Sequence, residues 1–302
     1  MHDRLARIRG TLKSQVVCIL AVSVFACILL APVTALAATP EKADAWVPML
    51  QGDSLDGWYV LIAGQAKNVD PNHVFSVKDG VVHAFKDAAN GEKMPFGGLI
   101  TEKEYSRFHL RLEYKWGGKK FAPRQNQPRD AGILYHVMPP ERIWPQGVEC
   151  QIQEGDTGDI FAVRSAVTST IDPKTKDAVD PVLKVASPCF LEAAEGGVPL
   201  TQSAQGSPYE VVRVRRSHDW THEGWNTVEV IVDGDRAVHI VNGKVNNRCT
   251  GMSRPDPNDP KRMIPLARGK ILLQAEGAEV LYRNIAIKDL SESEQSILNS
   301  KL

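Results

Sequence analysis

Hairpin signals spread along this 302-residue chain constrain its fold more than any other feature. Lys78-Asp79-Gly80, Asp233-Gly234-Asp235 and Asn242-Gly243 each set a residue that tolerates a left-handed backbone between two apolar runs. That is the chemistry of a tight antiparallel turn. The segments around these turns are short and strand-like: 73–77, 80–85, 97–101, 107–116, 131–138, 147–153, 209–216, 226–232, 235–241, 270–275 and 279–287. No strand–helix–strand alternation connects them, which argues against a parallel α/β architecture. The expected fold is all-β, an antiparallel β-sandwich with long loop insertions. Two such insertions stand out: residues 117–129 are basic and rich in Gly, Pro and Gln, and residues 155–208 hold few periodic segments. Insertions of this kind are usually functional or flexible. Ser291-Glu292-Ser293-Glu294 opens a short helical tail over 291–302. No internal repeat is evident.

The start of the chain reads as a targeting segment. Arg4, Arg7, Arg9 and Lys13 precede an apolar run from Val16 to Leu30, and Ala35-Leu36-Ala37 has the small-x-small pattern of a cleavage site. The run is short for a membrane span, so residues 1–37 are expected to be a signal peptide removed after Ala37. The product is then exported, periplasmic or secreted, with no stable membrane span. A lipoprotein attachment at Cys27 and an uncleaved anchor remain alternatives. The remaining residues suffice for one sizeable core. The chain carries 36 basic and 36 acidic residues, and the leader takes four of the former and one of the latter. The rest is therefore weakly acidic, which gives no electrostatic case for nucleic acid. Cys150, Cys189 and Cys249 allow at most one disulfide and exclude a disulfide scaffold.

Two segments concentrate polar side chains. In Val148-Glu149-Cys150-Gln151-Ile152-Gln153, alternation puts Glu149, Gln151 and Gln153 on one face and the apolar residues on the other. The preceding strand carries Asp130 and His136. A carboxylate, two amides and further acids nearby equip a polar groove for a sugar or a metal ion.

Several separate motifs resemble one known family. They are Asp53-Ser54-Leu55-Asp56-Gly57-Trp58, Gly97-Gly98-Leu99-Ile100-Thr101-Glu102, Ala131-Gly132-Ile133 followed by Glu149-Cys150-Gln151-Ile152, Gly224-Trp225-Asn226-Thr227, Val241-Asn242-Gly243-Lys244, and Tyr282-Arg283-Asn284-Ile285. Over residues 46–290 the chain resembles the 3-keto-disaccharide hydrolase domain. That resemblance implies a concanavalin/LamG-like jelly roll and the cleavage of glycosides already oxidised at C3. The chain departs from the commoner family pattern at Asp130-Ala131-Gly132 and at Gln274-Ala275-Glu276-Gly277, so the exact substrate does not carry over.

The chemistry itself can be reasoned independently of the family. A ketone at C3 acidifies the C2 proton; a base removes it, the C1 leaving group departs, and water adds to the enone. This path needs a base near C2, donors for the enolate oxygen and an acid near the leaving oxygen. Glu149, Asp130 and His136 are the candidate catalytic residues. Gln151, Gln153, Glu113, Lys115, Trp144, Gln274 and Glu276 are candidate substrate contacts. Glu154 and Asp156, in an acidic glycine-rich run, are candidate ligands for calcium or a transition metal acting as a Lewis acid. The chain shows no Gly-x-Ser-x-Gly, His-Glu-x-x-His, phosphate-loop or dinucleotide motif. A separate sugar 3-dehydrogenase is therefore expected to make the ketone. A non-catalytic carbohydrate-binding module and a conventional two-carboxylate glycosidase are the rival readings.

Overall fold

The computed structural model describes residues 45–299, so the leader expected over 1–37 lies outside the described residues. The first strands are β1 (Val47–Pro48), β2 (Trp58–Ile62), β3 (Phe75–Lys78), β4 (Val81–Ala84), β5 (Gly97–Thr101) and β6 (Arg107–Lys120). Then come β7 (Asp130–Met138), β8 (Gln146–Gln153), β9 (Ile160–Val163), β10 (Ala166–Ile171), β11 (Val198–Ser203) and β12 (Val211–Val214). The last are β13 (Asn226–Asp233), β14 (Arg236–Val241), β15 (Lys244–Asp256), β16 (Asp259–Pro265), β17 (Lys270–Ala275) and β18 (Ala278–Lys288), followed by helix α1 (Glu292–Asn299).

They form two antiparallel sheets packed face to face as a jelly roll. The seven-stranded sheet runs β12-β9-β8-β7-β17-β5-β2. The larger sheet runs β11-β10-β15-β14-β13-β6-β18-β4-β3, with β1 added to β18 and β16 to β15. The hairpin signals sit at the expected turns: Asp79 and Asn242 adopt positive φ, as do Gly80, Gly234 and Gly243. Period-two patterning builds the core. Phe108, Leu110, Leu112 and Tyr114 from β6 meet Val148, Cys150 and Ile152 from β8 in one apolar cluster, and full burial of each large side chain contributes about 1.5–3 kcal/mol. Cys150 and Cys249 are buried, and all three described cysteines are free.

The interval 155–208 is more regular than its sequence suggests, since β9, β10 and β11 lie inside it. Strands β2, β15 and β16 likewise carry no clear alternation signal. Among the described residues, no helix is long and apolar enough to cross a membrane.

Candidate active site

Alternation along β8 sends Val148, Cys150 and Ile152 into the core, so Glu149 and Gln151 emerge on the face of the small sheet turned away from it. Gly132 of β7 pairs with Gln151, and Leu134 pairs with both Glu149 and Leu272. The same register brings Gln274 of β17 level with Gly132. A Cβ at Gly132 would lie 1.9 Å from Glu149 Oε1 and 2.6 Å from Gln274 Oε1. The missing side chain thus leaves the space in which the Glu149 carboxyl and the Gln274 amide converge.

Arg124 ties two further acids to this patch. Its Nη1 donates to Glu276 Oε1 at 2.8 Å and its Nη2 donates to Asp130 Oδ2. Gln153 Nε2 also donates to Asp130 Oδ2, at 2.7 Å, and Trp144 Nε1 donates to Glu276 Oε2 at 3.2 Å. Arg124 belongs to the basic insertion that the sequence marks as unusual, but nothing in the sequence distinguishes it from the insertion's other cations. Its path is set by close backbone passage: Phe121 N donates to Gly277 O at 2.9 Å, and a Cβ at Gly277 would come 3.0 Å from Arg124 Cβ.

Two carboxyls therefore share one guanidinium, and a third, that of Glu149, lies beside them. Glu149, Asp130 and Glu276 are only 5%, 4% and 8% exposed. Burial pushes all three above their ordinary range. Glu149 is raised well above it, with Asp130 and Glu276 adding to the effect and Arg124 opposing it. No hydrogen bond or ion pair reaches the Glu149 carboxyl among the described residues. Asp130 is pushed up first by burial and then by Glu276. Gln274 Nε2 and Oε1, Asp130 Oδ1 and Arg124 Nε are all buried without a hydrogen-bond partner. Buried polar atoms are normally satisfied, so such a concentration on one patch marks groups suited to a polar ligand or ordered water.

Not every candidate joins this patch. His136 sits at an irregularity in β7, where pairing steps from Tyr135–Val148 to Met138–Gln146. At φ 53° its side chain turns toward the large sheet, and its Nε2 donates to Gly234 O at 2.8 Å. Burial holds its imidazole down to about 4, so it is neutral and apart from the acids. Glu113 and Lys115 emerge on the far face of the large sheet, on the other side of the core. There Glu113 accepts from Arg283 Nε at 2.7 Å and Asn284 Nδ2 at 2.9 Å, while Lys115 lies 5.2 Å from the Trp225 ring centre.

Glu154 and Asp156 also stand apart, because each is taken by an arginine. Glu154 pairs with Arg129 at 2.7 Å and Asp156 with Arg213 at 2.7 Å. Among the described residues, no group of three or more His, Cys, Asp or Glu is placed to hold a metal ion. In this structure each of the two acids is therefore engaged by an arginine and not by a shared cluster of acids. Glu149, Asp130, Gln274, Glu276, Gln153 and Trp144 are brought together. Gln151 lies beside them with its Oε1 accepting from Ile152 N at 3.0 Å.

Residues 45–288 match the 3-keto-alpha-glucoside-1,2-lyase-like domain, and the chain belongs to that family. No curated protein matches the chain. Among solved structures, the chain is similar to a protein of Parabacteroides distasonis ATCC 8503 provisionally described as a glycosyl hydrolase. The identity is 19% over 83% of this chain and 96% of that one, with a TM-score of 0.47. It is also similar to the carbohydrate binding module CBM66 from Bacillus subtilis, at 8% identity over 81% and 100% of the two chains and a TM-score of 0.40. A Bacillus licheniformis beta-glucanase aligns at 11% identity over 82% and 98%, with a TM-score of 0.39.

Proposed function

We propose that this member of the 3-keto-alpha-glucoside-1,2-lyase-like family is an exported enzyme that cleaves 3-keto-glycosides, with Glu149 as the proton-transferring carboxyl. The observation that carries the reading is Glu149 itself: a buried carboxyl with no cation of its own, laid over Gly132 beside the unpartnered Gln274 amide. A carboxyl raised toward the working pH is the stronger base once it ionises. The Glu149 carboxylate takes the C2 proton. Electron density moves onto the ketone oxygen, where the Gln274 amide N–H supplies a preorganised donor. The C1–O bond then breaks, and its electrons leave with the departing oxygen.

That oxygen needs a proton. Asp130 and Glu276 share Arg124 and are both raised, which favours one proton held between them, and a carboxyl kept protonated in this way serves as the acid. Water then adds across the enone, and the net change is hydrolysis. The ketone comes from a separate sugar 3-dehydrogenase, since hydride removal lies outside what these side chains do. Export rests on the basic-then-apolar start and the Ala35-Leu36-Ala37 signal.

Purified protein is expected to release the leaving group from a 3-keto-glucoside and not from its unoxidised parent. Glu149→Gln keeps the shape and removes the base, so kcat on the ketone should fall by roughly 10²–10⁴. Release from the parent alone would assign a conventional two-carboxylate glycosidase. Release from neither would leave a carbohydrate-binding module.

A further inference from the structure

Residues 139–145 join β7 to β8, and Trp144 stands just before β8 begins at Gln146. Strand register fixes how far its indole travels. Leu272 pairs with Leu134 and Leu273 with Ile133, so Glu276 lies level with Asp130, and Asp130 pairs with Gln153 at the other end of β8. That strand has 8 residues, about 23 Å between its end residues at the usual rise. The Trp144 indole N–H nevertheless donates to Glu276 Oε2 at 3.2 Å. Trp144 therefore folds back over the outer face of the small sheet instead of standing at its rim.

Two contacts set the line it takes. Arg164 follows β9 beside the Gln146 end of β8, and its Nη1 donates to the Trp144 carbonyl. At the opposite corner the Trp144 ring meets Phe96 edge-on, with centroids 5.4 Å apart, where Phe96 leads into β5. A diagonal from β9 to β5 crosses β8, β7 and β17, and so passes over Glu149, Gly132 and Gln274. This accounts for the burial of Gln274 and Glu149, while Trp144 above them is itself 40% exposed. One layer of loop separates the patch from solvent.

That layer is lightly held. Among the described residues, 139–145 make no backbone–backbone hydrogen bond, and Pro139, Pro140 and Pro145 have no N–H to offer. Side chains pin the loop instead. Arg164 and Glu276 hold Trp144, and at the root Lys270 Nζ donates to Glu141 Oε1 at 2.6 Å and to Tyr59 Oη at 3.0 Å. Segments fastened by a few such contacts open locally without unfolding the sheet beneath them.

We propose that residues 139–145 are a lid over Glu149, closed in this structure, which lifts to admit a ligand. The inference rests on the reading of Glu149 as the reactive carboxyl and adds how access to it is controlled, because a carboxyl this enclosed presents no face to a sugar ring.

Two variants loosen the lid without touching Glu149. Arg164→Met removes the donor to the Trp144 carbonyl and otherwise gives up its pair with Glu210, and Glu141→Gln weakens the root. A water-soluble carbodiimide with glycinamide near pH 5 converts accessible protonated carboxyls to amides, and peptide mass mapping reads the extent at Glu149. Cys150, the next residue but turned into the core, is the internal control: in a parallel reaction, N-ethylmaleimide reaches it when the sandwich itself opens. Modification of Glu149 should rise by roughly tenfold in the variants, the effect of one lost charge-assisted hydrogen bond on a two-state opening, with Cys150 unchanged. Unchanged modification of Glu149 in both variants means a fixed wall and overturns the lid. A parallel rise at Glu149 and Cys150 means that the whole sheet loosens, and overturns it as well. None of these readouts needs turnover, so failure of the wild type to cleave a 3-keto-glycoside would overturn the functional reading while the labelling still decides the lid.

Discussion

Gly132 and Glu149 make the case at the scale of single residues. Gly132 is an ordinary-looking strand glycine in the sequence, yet its Cβ position is occupied by the Glu149 carboxyl and the Gln274 amide. Gly132→Ala should therefore displace Glu149 rather than unfold the sheet. Overpacking of this size costs about 1–3 kcal/mol, so the variant is expected to stay folded by circular dichroism while losing most of the proposed turnover of a 3-keto-glycoside. Glu149 also predicts a pH effect on stability. Its folded-state carboxyl is raised well above the ordinary 4.5 by burial, so the native state holds a proton that the unfolded chain releases. Stability from this group is present below about 4.5 and is lost as pH rises toward the folded value. Glu149→Gln removes that loss: its melting temperature should exceed the wild type's at pH 7–8, by roughly a few degrees, and match it near pH 4.

Elements explain which candidates the sequence could and could not place. Period-two alternation was enough to put Glu149 and Gln151 on one face and Cys150 on the other, because β8 is regular. Alternation alone does not place His136, since one extra residue in β7 turns its side chain over, and an irregularity of that kind has no signature in the local composition. Glu113 and Lys115 sit on a face that alternation identifies correctly, but alternation does not say which sheet β6 joins. Arg124 was illegible for a different reason. Loops follow tertiary contacts, here the passage of Phe121 against Gly277, rather than any periodicity. Its role carries a prediction at this scale. Arg124→Met keeps much of the stem and removes the charge shared by Asp130 and Glu276. Removing one partner of a buried ionic cluster typically costs about 3–5 kcal/mol, so denaturant unfolding should show a lower midpoint. The loss should shrink at low pH, where both acids are protonated and no longer need the cation.

At the scale of the whole molecule, the two sheets have separate outer faces, and the core between them isolates one from the other. The carboxyl patch lies on the small sheet. Helix α1 docks on the large one, where Leu298 packs with Ile231, Val238 and Ile240. Glu294 anchors that helix: it accepts from Ser291 N at 2.8 Å and pairs with Lys288 Nζ at 2.9 Å and with His109 Nδ1. Burial alone would raise its carboxyl, but the Ser291 backbone, His109 and Lys288 outweigh it and bring the value down to about 2 from an ordinary 4.5. The stability this supplies is complete above about 4.5 and disappears as pH falls toward 2. Glu294→Gln should therefore lower the melting temperature at pH 7 and flatten its fall between pH 5 and pH 2. Hydrogen exchange in α1 should rise in the same variant. Sites on opposite faces with no shared partner act additively, so kcat/KM on a 3-keto-glycoside at pH 7 should equal that of the wild type. A matching loss of turnover would mean that the two faces communicate through the core.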